Sequence, residues 1–220
     1  MGLAILLGVF GAGVIIGAPV AFAMGIAAAA AFWYEGFPTL ITFQRATAGV
    51  SVFSLLAIPF FVFAGEIMLH GGIASRLVKL ASAIVGHLRG GLAMVNIFSS
   101  MLFGGISGSA VADISALGSL LIPVMKERGY RPDFAVNVTV TSSIAGIVIP
   151  PSHNMIIFAV AAGGGISVSG LFLAGVLPGI LMCVCLAVAA YIISVKHNYP
   201  AEPFPGWGVV GRTAADAIPG

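Results

Sequence analysis

Apolar residues run along this chain in five long blocks that are separated by shorter polar or glycine-rich stretches. Apolar runs of about 20 residues are typical of helices that cross a membrane. The first block contains Gly17-Ala18-Pro19, and because glycine and proline interrupt helices, we predict that this block is kinked or split there. The five blocks are Leu3–Trp33, Val52–Leu69, Gly91–Met125, Phe134–Ala162 and Val168–Val195.

Residues 71–90, between the second and third blocks, have a different pattern. Apolar side chains recur there every three or four positions, and basic side chains stand between them. This periodicity predicts an amphipathic helix that lies at the membrane interface. The apolar positions are Ile73, Leu77, Leu80, Ile84 and Leu88, and the basic ones are Arg76, Lys79 and His87.

The third block has about 35 residues, which is long for one membrane span and short for two. Its centre is Ser107-Gly108-Ser109, a polar turn sequence. The arms on either side, Leu92–Ile106 and Ala110–Met125, would each be about 22–24 Å long, whereas the hydrocarbon core is about 30 Å thick. We therefore predict a re-entrant helical hairpin whose tip lies inside the protein. Two complete spans are the alternative, since they give the same topology at both ends of the block.

Composition supports a membrane protein. Apolar residues make up 60% of the 220 positions, and the chain has only nine basic and seven acidic residues. A soluble domain of this length carries roughly 55 charged residues, so too few polar groups are present to cover a globule. A net charge of +2 spread over so apolar a chain also excludes a nucleic-acid interface.

Six of the nine basic residues flank the third block. Basic loops stay in the cytoplasm, so both flanks are predicted to be cytoplasmic and the block must enter and leave the membrane on one side. Arg45 then lies outside. The flanking residues are Arg76, Lys79 and Arg89 before the block and Lys126, Arg128 and Arg131 after it.

The fourth block is interrupted by Pro150-Pro151. Two prolines remove two backbone N–H donors, and their rings clash with the carbonyls of Gly146 and Ile147. Because the residue before a proline also avoids the helical conformation, we predict a discontinuous helix that opens near Ile149. We predict that Ser152 caps the second half-helix. The N-terminus of that half-helix would attract an anion, and the freed carbonyls would suit a small cation.

The hairpin tip and the break supply the candidate residues for a sodium or substrate site. Several alternatives stay open. Asp113 either belongs to an ion site or compensates a helix dipole, and Glu66 is interpreted as structural. His153 and Asn154 either contact substrate or hydrogen-bond within the bundle. The candidates are Ser107, Gly108, Ser109, Asp113, Ser142, Ser143, Gly146, Ile149, Pro150, Ser152 and Asn154, with Thr141 and Pro151 beside them.

Enzymatic chemistry is not expected. No Cys or His cluster has metal-ligand spacing, and no nucleophile and base stand together within the apolar blocks. No cofactor is predicted, and the only metal considered is sodium, whose individual ligands the sequence does not assign.

Several long and unusual runs resemble the large membrane subunit of TRAP transporters, the tripartite ATP-independent periplasmic transporters. The resemblance extends over nearly the whole chain, roughly residues 3–200. The matching runs are Phe61 to Glu66, His70 to Ile73, Ser99 to Asp113 with Leu117-Gly118-Ser119, Ile149 to Ser152, and Leu171 to Gly175.

This resemblance implies an all-α polytopic protein with the elevator fold of the ion-transporter superfamily. That fold has two inverted repeats, each with one re-entrant hairpin and one discontinuous helix. The resemblance also implies import of an organic acid, such as a dicarboxylate or sialic acid, driven by a sodium gradient across the bacterial inner membrane. The implied partners are a periplasmic binding protein that delivers the organic anion, a small four-helix membrane subunit and the lipid bilayer. A membrane channel or scaffold subunit without ion-coupled transport is the alternative function.

The chain matches the first repeat of that family, so we expect it to be a fragment that does not transport alone. A genuine short protein that dimerises in antiparallel orientation is the alternative. The expected organisation follows from the blocks. It comprises N-terminal membrane helices at 1–70, an amphipathic arm at 71–90, the hairpin at 91–126, the discontinuous helix at 133–162, a transmembrane helix at 168–196, and a loop with the start of a second repeat at 197–220.

Overall fold

The structure is a computed structural model that describes residues 1–38, 40–163 and 165–217, without the side chain of Leu69. Every element in these ranges is helical, and they contain no strand, which confirms the all-α prediction. The chain divides into two compact units, Met1–Phe53 and Ser54–Gly220. Residues 218–220, which belong to the expected start of a second repeat, lie outside the described residues.

The first unit contains three helices, α1 (Gly2–Ile15), α2 (Val20–Tyr34) and α3 (Leu40–Val50). The first apolar block is therefore split where the sequence predicted it, around Gly17, whose φ is +86°. Helices α1 and α2 pack side by side, because a Cβ on Gly13 would lie only 3.0 Å from the Ala23 Cβ. Helix α3 lies outside every block marked in the sequence.

A short 3-10 turn starts at the last residue of the first unit, and the second unit contains nine helices within its described residues. The turn is Phe53–Leu56, and the helices are α4 (Ala57–His70), α5 (Ile73–Val85), α6 (Gly91–Ser107), α7 (Ala110–Glu127), α8 (Pro132–Ser142), α9 (Ala145–Val148), α10 (His153–Ala161), α11 (Val168–Lys196) and α12 (Trp207–Ala217).

Helix α6 lies at the centre of this unit and contacts α4, α5, α7, α8, α9 and α11. One apolar cluster joins it to α8 and α11 through Ala93, Met94 and Ile97, and a second joins it to α5 and α7 through Phe103. Because apolar burial is the main favourable term in packing, α6 is the element that positions its neighbours.

Helix α5 has the predicted amphipathic pattern, and its apolar face packs on protein. Ile73, Ala74, Leu77 and Ala81 are buried in the cluster that includes Phe103 of α6. Arg76 and Lys79, between these positions, are exposed. The arm helix is thus attached along its length to the α6–α7 pair.

The fourth apolar block is broken where the sequence predicted it. Residues Pro132–Val148 and His153–Ala161 meet at an angle of 48°, with Pro150 and Pro151 at the bend. A tighter turn at Ser143 and Ile144 additionally separates α8 from α9, and the sequence did not predict it.

By length and composition, one helix in the described residues could cross a membrane alone, namely Val168–Lys196. Two helix pairs would raise the number of spans to three if each bent pair counts as one. These pairs are Leu40–Val50 with Phe53–Met68, and Pro132–Val148 with His153–Ala161.

An aromatic cluster joins the loop after α7 to the loop after α11. The rings of Tyr130 and Tyr199 stack with centroids 4.3 Å apart, and the Arg131 N–H donates to the Tyr199 hydroxyl at 3.2 Å. Burial raises the pKa of Tyr130 to about 12, so the phenol is neutral at physiological pH. The cluster therefore connects the C-terminal end of α7 to the C-terminal end of α11.

Candidate functional site: a helical hairpin against a broken helix

Helices α6 and α7 are joined by a two-residue turn, Gly108 and Ser109. Gly108 has φ +60°, a conformation that favours glycine, and its N–H donates to the Gly104 carbonyl at 3.0 Å. Ser109 caps α7, because its Oγ accepts from the Ala112 N–H at 3.4 Å. The Ser107 hydroxyl donates to the Ser109 carbonyl at 3.4 Å, so the turn is held by its own polar groups.

The turn packs directly on the break of the discontinuous helix. A Cβ on Gly108 would lie 2.6 Å from the Pro151 carbonyl oxygen, and one on Gly104 would lie 2.6 Å from the Gly146 Cα. A Cβ on Gly105 would lie 3.5 Å from the Pro150 carbonyl oxygen. Backbone therefore touches backbone here, and the predicted tip and the predicted break form one site.

Ser152 does not cap α10 through its side chain, so that prediction is wrong. Its hydroxyl instead donates to the Ile147 carbonyl at 2.6 Å, which is one of the two carbonyls that the prolines leave without a donor. The side chain turns back toward α9 because the extended Ile149 and the two prolines bring that carbonyl within reach.

The first turn of α10 therefore keeps free backbone donors. Within the described residues, the first N–H of this helix to donate is that of Ile156, to the Ser152 carbonyl at 3.3 Å. The His153 N–H is near the hairpin turn, 3.5 Å from the position of a Cβ on Gly108. Unpaired N–H groups at a helix N-terminus are a favourable place for an anion.

A buried polar ladder holds α6 beside α8. The Asn96 Nδ2 donates to the Thr139 Oγ1 at 2.6 Å, and four residues further along α6 the hydroxyls of Ser100 and Ser142 are 3.0 Å apart. Gly104, another four residues along α6, packs against the broken helix. The ladder therefore sets the register that places the hairpin turn on the break.

Asp113 is buried in the first turn of α7 and is only 1% exposed. Neither carboxylate oxygen accepts a hydrogen bond from a described residue. Ser100 is placed to donate to this carboxylate, and its hydroxyl also lies 3.0 Å from that of Ser142, where either can be the donor. The buried polar side chains of the described residues include no Lys, Arg or His.

A cleft of about 660 Å³ lies beside the hairpin turn. Ser107 and Ser109, which the sequence predicted for the site, line it together with His153, whose role was left open, and Glu66, which was interpreted as structural. Most of the other lining residues belong to α4, α5 and α7. The complete set of residues that line the cleft is Val62, Gly65, Glu66, Gly72, Ala74, Ser75, Ser107, Ser109, Val111, Ala112, Ser115, Ala116, Ser119, Leu120 and His153.

Other predicted residues lie elsewhere. Asp113, Ser142 and Ser143 are buried and do not line the cleft, while Thr141 and Asn154 are exposed. Hard oxygen atoms suitable for a small cation are consequently found in the turn, in the opened backbone and in the buried Asp113 carboxylate. No group of three His, Cys, Asp or Glu side chains able to hold a metal ion occurs within the described ranges.

Sequence reasoning missed two sets of residues. Asn96 and Ser100 were not singled out, although with Gly104 they recur every four positions on α6 and therefore share one face. Ser115 and Ser119 were also missed, although the same spacing of four places both on one face of an apolar arm. Polar periodicity within an apolar helix is thus the signal that would have identified both sets.

A family model described as tripartite ATP-independent periplasmic transporter, DctM component, matches residues 7–220. The sialic acid TRAP transporter large permease protein SiaM of Vibrio cholerae is 42% identical over 189 residues, which is 85% of this chain and 44% of the relative. The C4-dicarboxylate TRAP transporter large permease protein DctM of the same organism is 36% identical over 205 residues, or 92% of this chain and 45% of the relative.

A third relative is the 2,3-diketo-L-gulonate TRAP transporter large permease protein YiaN of Escherichia coli. It is 40% identical over 203 residues, which is 92% of this chain and 47% of the relative. The chain thus spans about half the length of the curated relatives it matches. Since the family model matches nearly all of the chain, the chain belongs to the DctM family of tripartite ATP-independent periplasmic transporters.

Proposed function

We propose that this chain forms the first inverted repeat of the large subunit of a sodium-coupled secondary transporter with an elevator fold. The α6–α7 pair is its re-entrant hairpin, and α8 to α10 form its discontinuous helix. The observation that carries the proposal is the packing of the hairpin turn on the break, where Gly108 meets the Pro151 carbonyl. Irregular backbone is tolerated at membrane depth only where protein or a cavity surrounds it, and secondary transporters build ion and substrate sites from such backbone.

In this proposal sodium binds to oxygen atoms of the turn and the opened helix. The candidate ligands are side-chain or carbonyl oxygens of Ser107, Gly108, Ser109, Asp113, Ser142, Ser143, Gly146, Ile149 and Pro150. The substrate carboxylate binds at the N-terminus of α10, near Ser152, His153 and Asn154, because the free N–H groups there carry partial positive charge.

The substrate is an organic acid, and the names of the three relatives support this class because sialic acid, C4-dicarboxylates and 2,3-diketo-L-gulonate are all carboxylates. We propose that a periplasmic binding protein delivers it and that a small four-helix subunit accompanies the large one in the bacterial inner membrane. Uptake into proteoliposomes by the full-length assembly, with and without an inward sodium gradient, tests this function. Passive, sodium-independent flux would support a channel instead.

Removing the turn hydroxyls should weaken sodium binding. In a full-length large subunit, Ser107→Ala or Ser109→Ala should raise the sodium concentration for half-maximal uptake roughly two- to tenfold, because each variant loses a hard oxygen that water does not easily replace in a closed site. Initial uptake rates as a function of sodium measure this shift. Ser169→Ala, an exposed serine at the start of α11, is the control. Parental sodium dependence in both turn variants would exclude the hydroxyls as ligands.

The re-entrant hairpin requires both of its flanks to lie on one side of the membrane, and the basic residues around it predict that this side is the cytoplasm. We expect cysteines introduced at Ser75 and Arg131 to resist an impermeant thiol reagent applied to intact spheroplasts and to react after the membrane is permeabilised. Both positions are exposed, so local burial does not explain protection. Labelling of either position from the periplasm would contradict the hairpin orientation.

A further inference from the structure

A second helix, α11, packs on the break of the discontinuous helix. Gly175 faces the opened backbone, because a Cβ there would lie 2.5 Å from the Val148 carbonyl oxygen. Four residues further along α11, a Cβ on Gly179 would lie 2.5 Å from the Ile149 Cγ1 and 3.6 Å from the Ile149 nitrogen. Small residues let the backbones of membrane helices approach closely, so glycine at these two positions brings α11 into contact with the break.

The hairpin and α11 contact different residues of the break. The hairpin meets Gly146 and Pro151, whereas α11 meets Val148 and Ile149, which lie between them in the sequence. Both helices therefore act on the same short stretch of irregular backbone. Because a close-packed interior transmits strain, a displacement of that stretch by α11 would also change its position relative to the hairpin turn.

Helix α11 is itself held in place beyond the break. Gly175, Gly179 and Cys183 are buried and recur every four positions, so they share one face of the helix. Cys183 belongs to the same apolar cluster as Ala93 of α6. The face that contacts the break thus continues into a contact with the first arm of the hairpin, and this contact fixes α11 relative to that arm.

We infer that Gly175 and Gly179 are positioning residues for the ion site, which hold the opened backbone in register with the hairpin turn and do not contact sodium themselves. This inference rests on the proposed function, because it assumes that oxygen atoms of the turn and the break bind the cation. Residues that orient metal ligands from outside the coordination shell change metal affinity by roughly 10- to 100-fold when they are substituted.

Gly175→Ala should raise the sodium concentration for half-maximal uptake roughly 10- to 100-fold in a full-length large subunit assembled with its small subunit. The added Cβ would collide with a backbone carbonyl, which moves only if the break moves. Uptake into proteoliposomes over a sodium series gives this concentration. Melting curves with and without sodium report sodium binding separately from stability.

The matched control is Gly170→Ala, at an exposed position in the first turn of the same helix. A Cβ there would have its nearest contact at 3.5 Å, to the Ser167 Cβ, so we expect the sodium dependence of the parent. Helix propensity favours alanine over glycine at both positions, so a loss confined to Gly175→Ala reports the contact with the break.

Gly179→Ala tests the same role through a rescue. Its Cβ would meet the Ile149 side chain, which can move, so we expect a smaller rise than for Gly175→Ala. Adding Ile149→Ala keeps the backbone and leaves the Ile149 nitrogen as the nearest contact, so the double variant should have the sodium dependence of Ile149→Ala alone. The Met155 side chain also lies against Gly175, but Met155→Ala should not rescue Gly175→Ala, because the Val148 carbonyl remains in the way.

A purely structural role would give a different result. If Gly175→Ala and Gly179→Ala lower the melting temperature equally with and without sodium and keep the parental sodium concentration for half-maximal uptake, both glycines serve packing alone and the inference is wrong. Failure of Ile149→Ala to rescue Gly179→Ala would also contradict it, while sodium-coupled transport by the parent stands. If the parent shows neither sodium-driven uptake nor stabilisation by sodium, the proposed function itself fails.

Discussion

Gly104→Ala should abolish sodium-driven uptake and markedly destabilise the full-length protein. The added Cβ would lie 2.6 Å from the Gly146 Cα and 2.7 Å from the Gly146 nitrogen, so it would collide with backbone atoms rather than with a movable side chain. Relief requires α6 to move away from α9, which carries the hairpin turn away from the break. Overpacking in a close-packed interior costs about 1–3 kcal/mol, and more where backbone must move.

A graded series of glycine variants tests this explanation. A Cβ on Gly146 would have its nearest contact at 3.3 Å, and one on Gly105 at 3.5 Å, so we expect Gly146→Ala to be intermediate and Gly105→Ala to be close to the parent. Uptake and the melting temperature of the purified protein are measured for all three. Equal losses at Gly104 and Gly105 would show that the backbone contact does not determine the result, because helix propensity alone favours alanine at both positions.

The interruptions at Pro150-Pro151 and at Gly108 could be predicted because they depend on local chemistry, unlike the turn at Ser143 and Ile144. Pro150 and Pro151 lack N–H groups wherever they stand, so the break follows from the sequence alone. The turn at Gly108 follows in the same way, since glycine readily adopts a positive φ. Both features were predicted at the residues where the structure has them.

The contacts between elements could not be predicted from the sequence. Gly104 and Gly146 are 42 positions apart, and nothing in either segment identifies the other as its partner. The correct pairing depends on the register of α6 against α8, which the Asn96–Thr139 hydrogen bond fixes at 2.6 Å. A one-turn slip would keep the same apolar pattern and lose the contact.

The role of Ser152 was wrongly predicted for a related reason. A serine before a helix is most often a cap, and propensity alone selects that role. In the structure the two preceding prolines bring an unsatisfied carbonyl, that of Ile147, within 2.6 Å of the hydroxyl. A buried carbonyl without a donor is costly, so the hydroxyl donates to it rather than accepting from α10.

Asp113 shows the limit of sequence reasoning most clearly, because both of its open interpretations concerned charge and neither concerned burial. The carboxylate is 1% exposed and accepts no hydrogen bond from a described residue. The first turn of α7 offers a favourable dipole, and its Ala112 N–H is bonded to the Ser109 Oγ rather than to the carboxylate. A buried carboxylate in this state favours a bound cation.

Asp113→Asn should therefore raise the melting temperature of the full-length protein in sodium-free buffer and abolish the stabilisation that sodium provides. An unpaired buried charge costs several kcal/mol, and the neutral amide removes that cost without changing the shape of the side chain. In the parent, sodium should stabilise the folded state by about 2.7 kcal/mol at a concentration 100 times its dissociation constant. The variant should lose most of this stabilisation by sodium, and it should also lose sodium-driven uptake.

Melting curves in sodium chloride and in choline chloride at equal ionic strength measure both effects. Asp133→Asn is the matched control, because Asp133 is exposed and its carboxylate is paired with Arg131 at 2.7 and 3.1 Å. It should leave the sodium-dependent shift intact, since an exposed ion pair contributes little. A sodium-dependent shift of parental size in Asp113→Asn would show that the turn and the opened backbone hold the cation without this carboxylate. A melting temperature below that of the parent in sodium-free buffer would show that the buried charge is compensated within the protein.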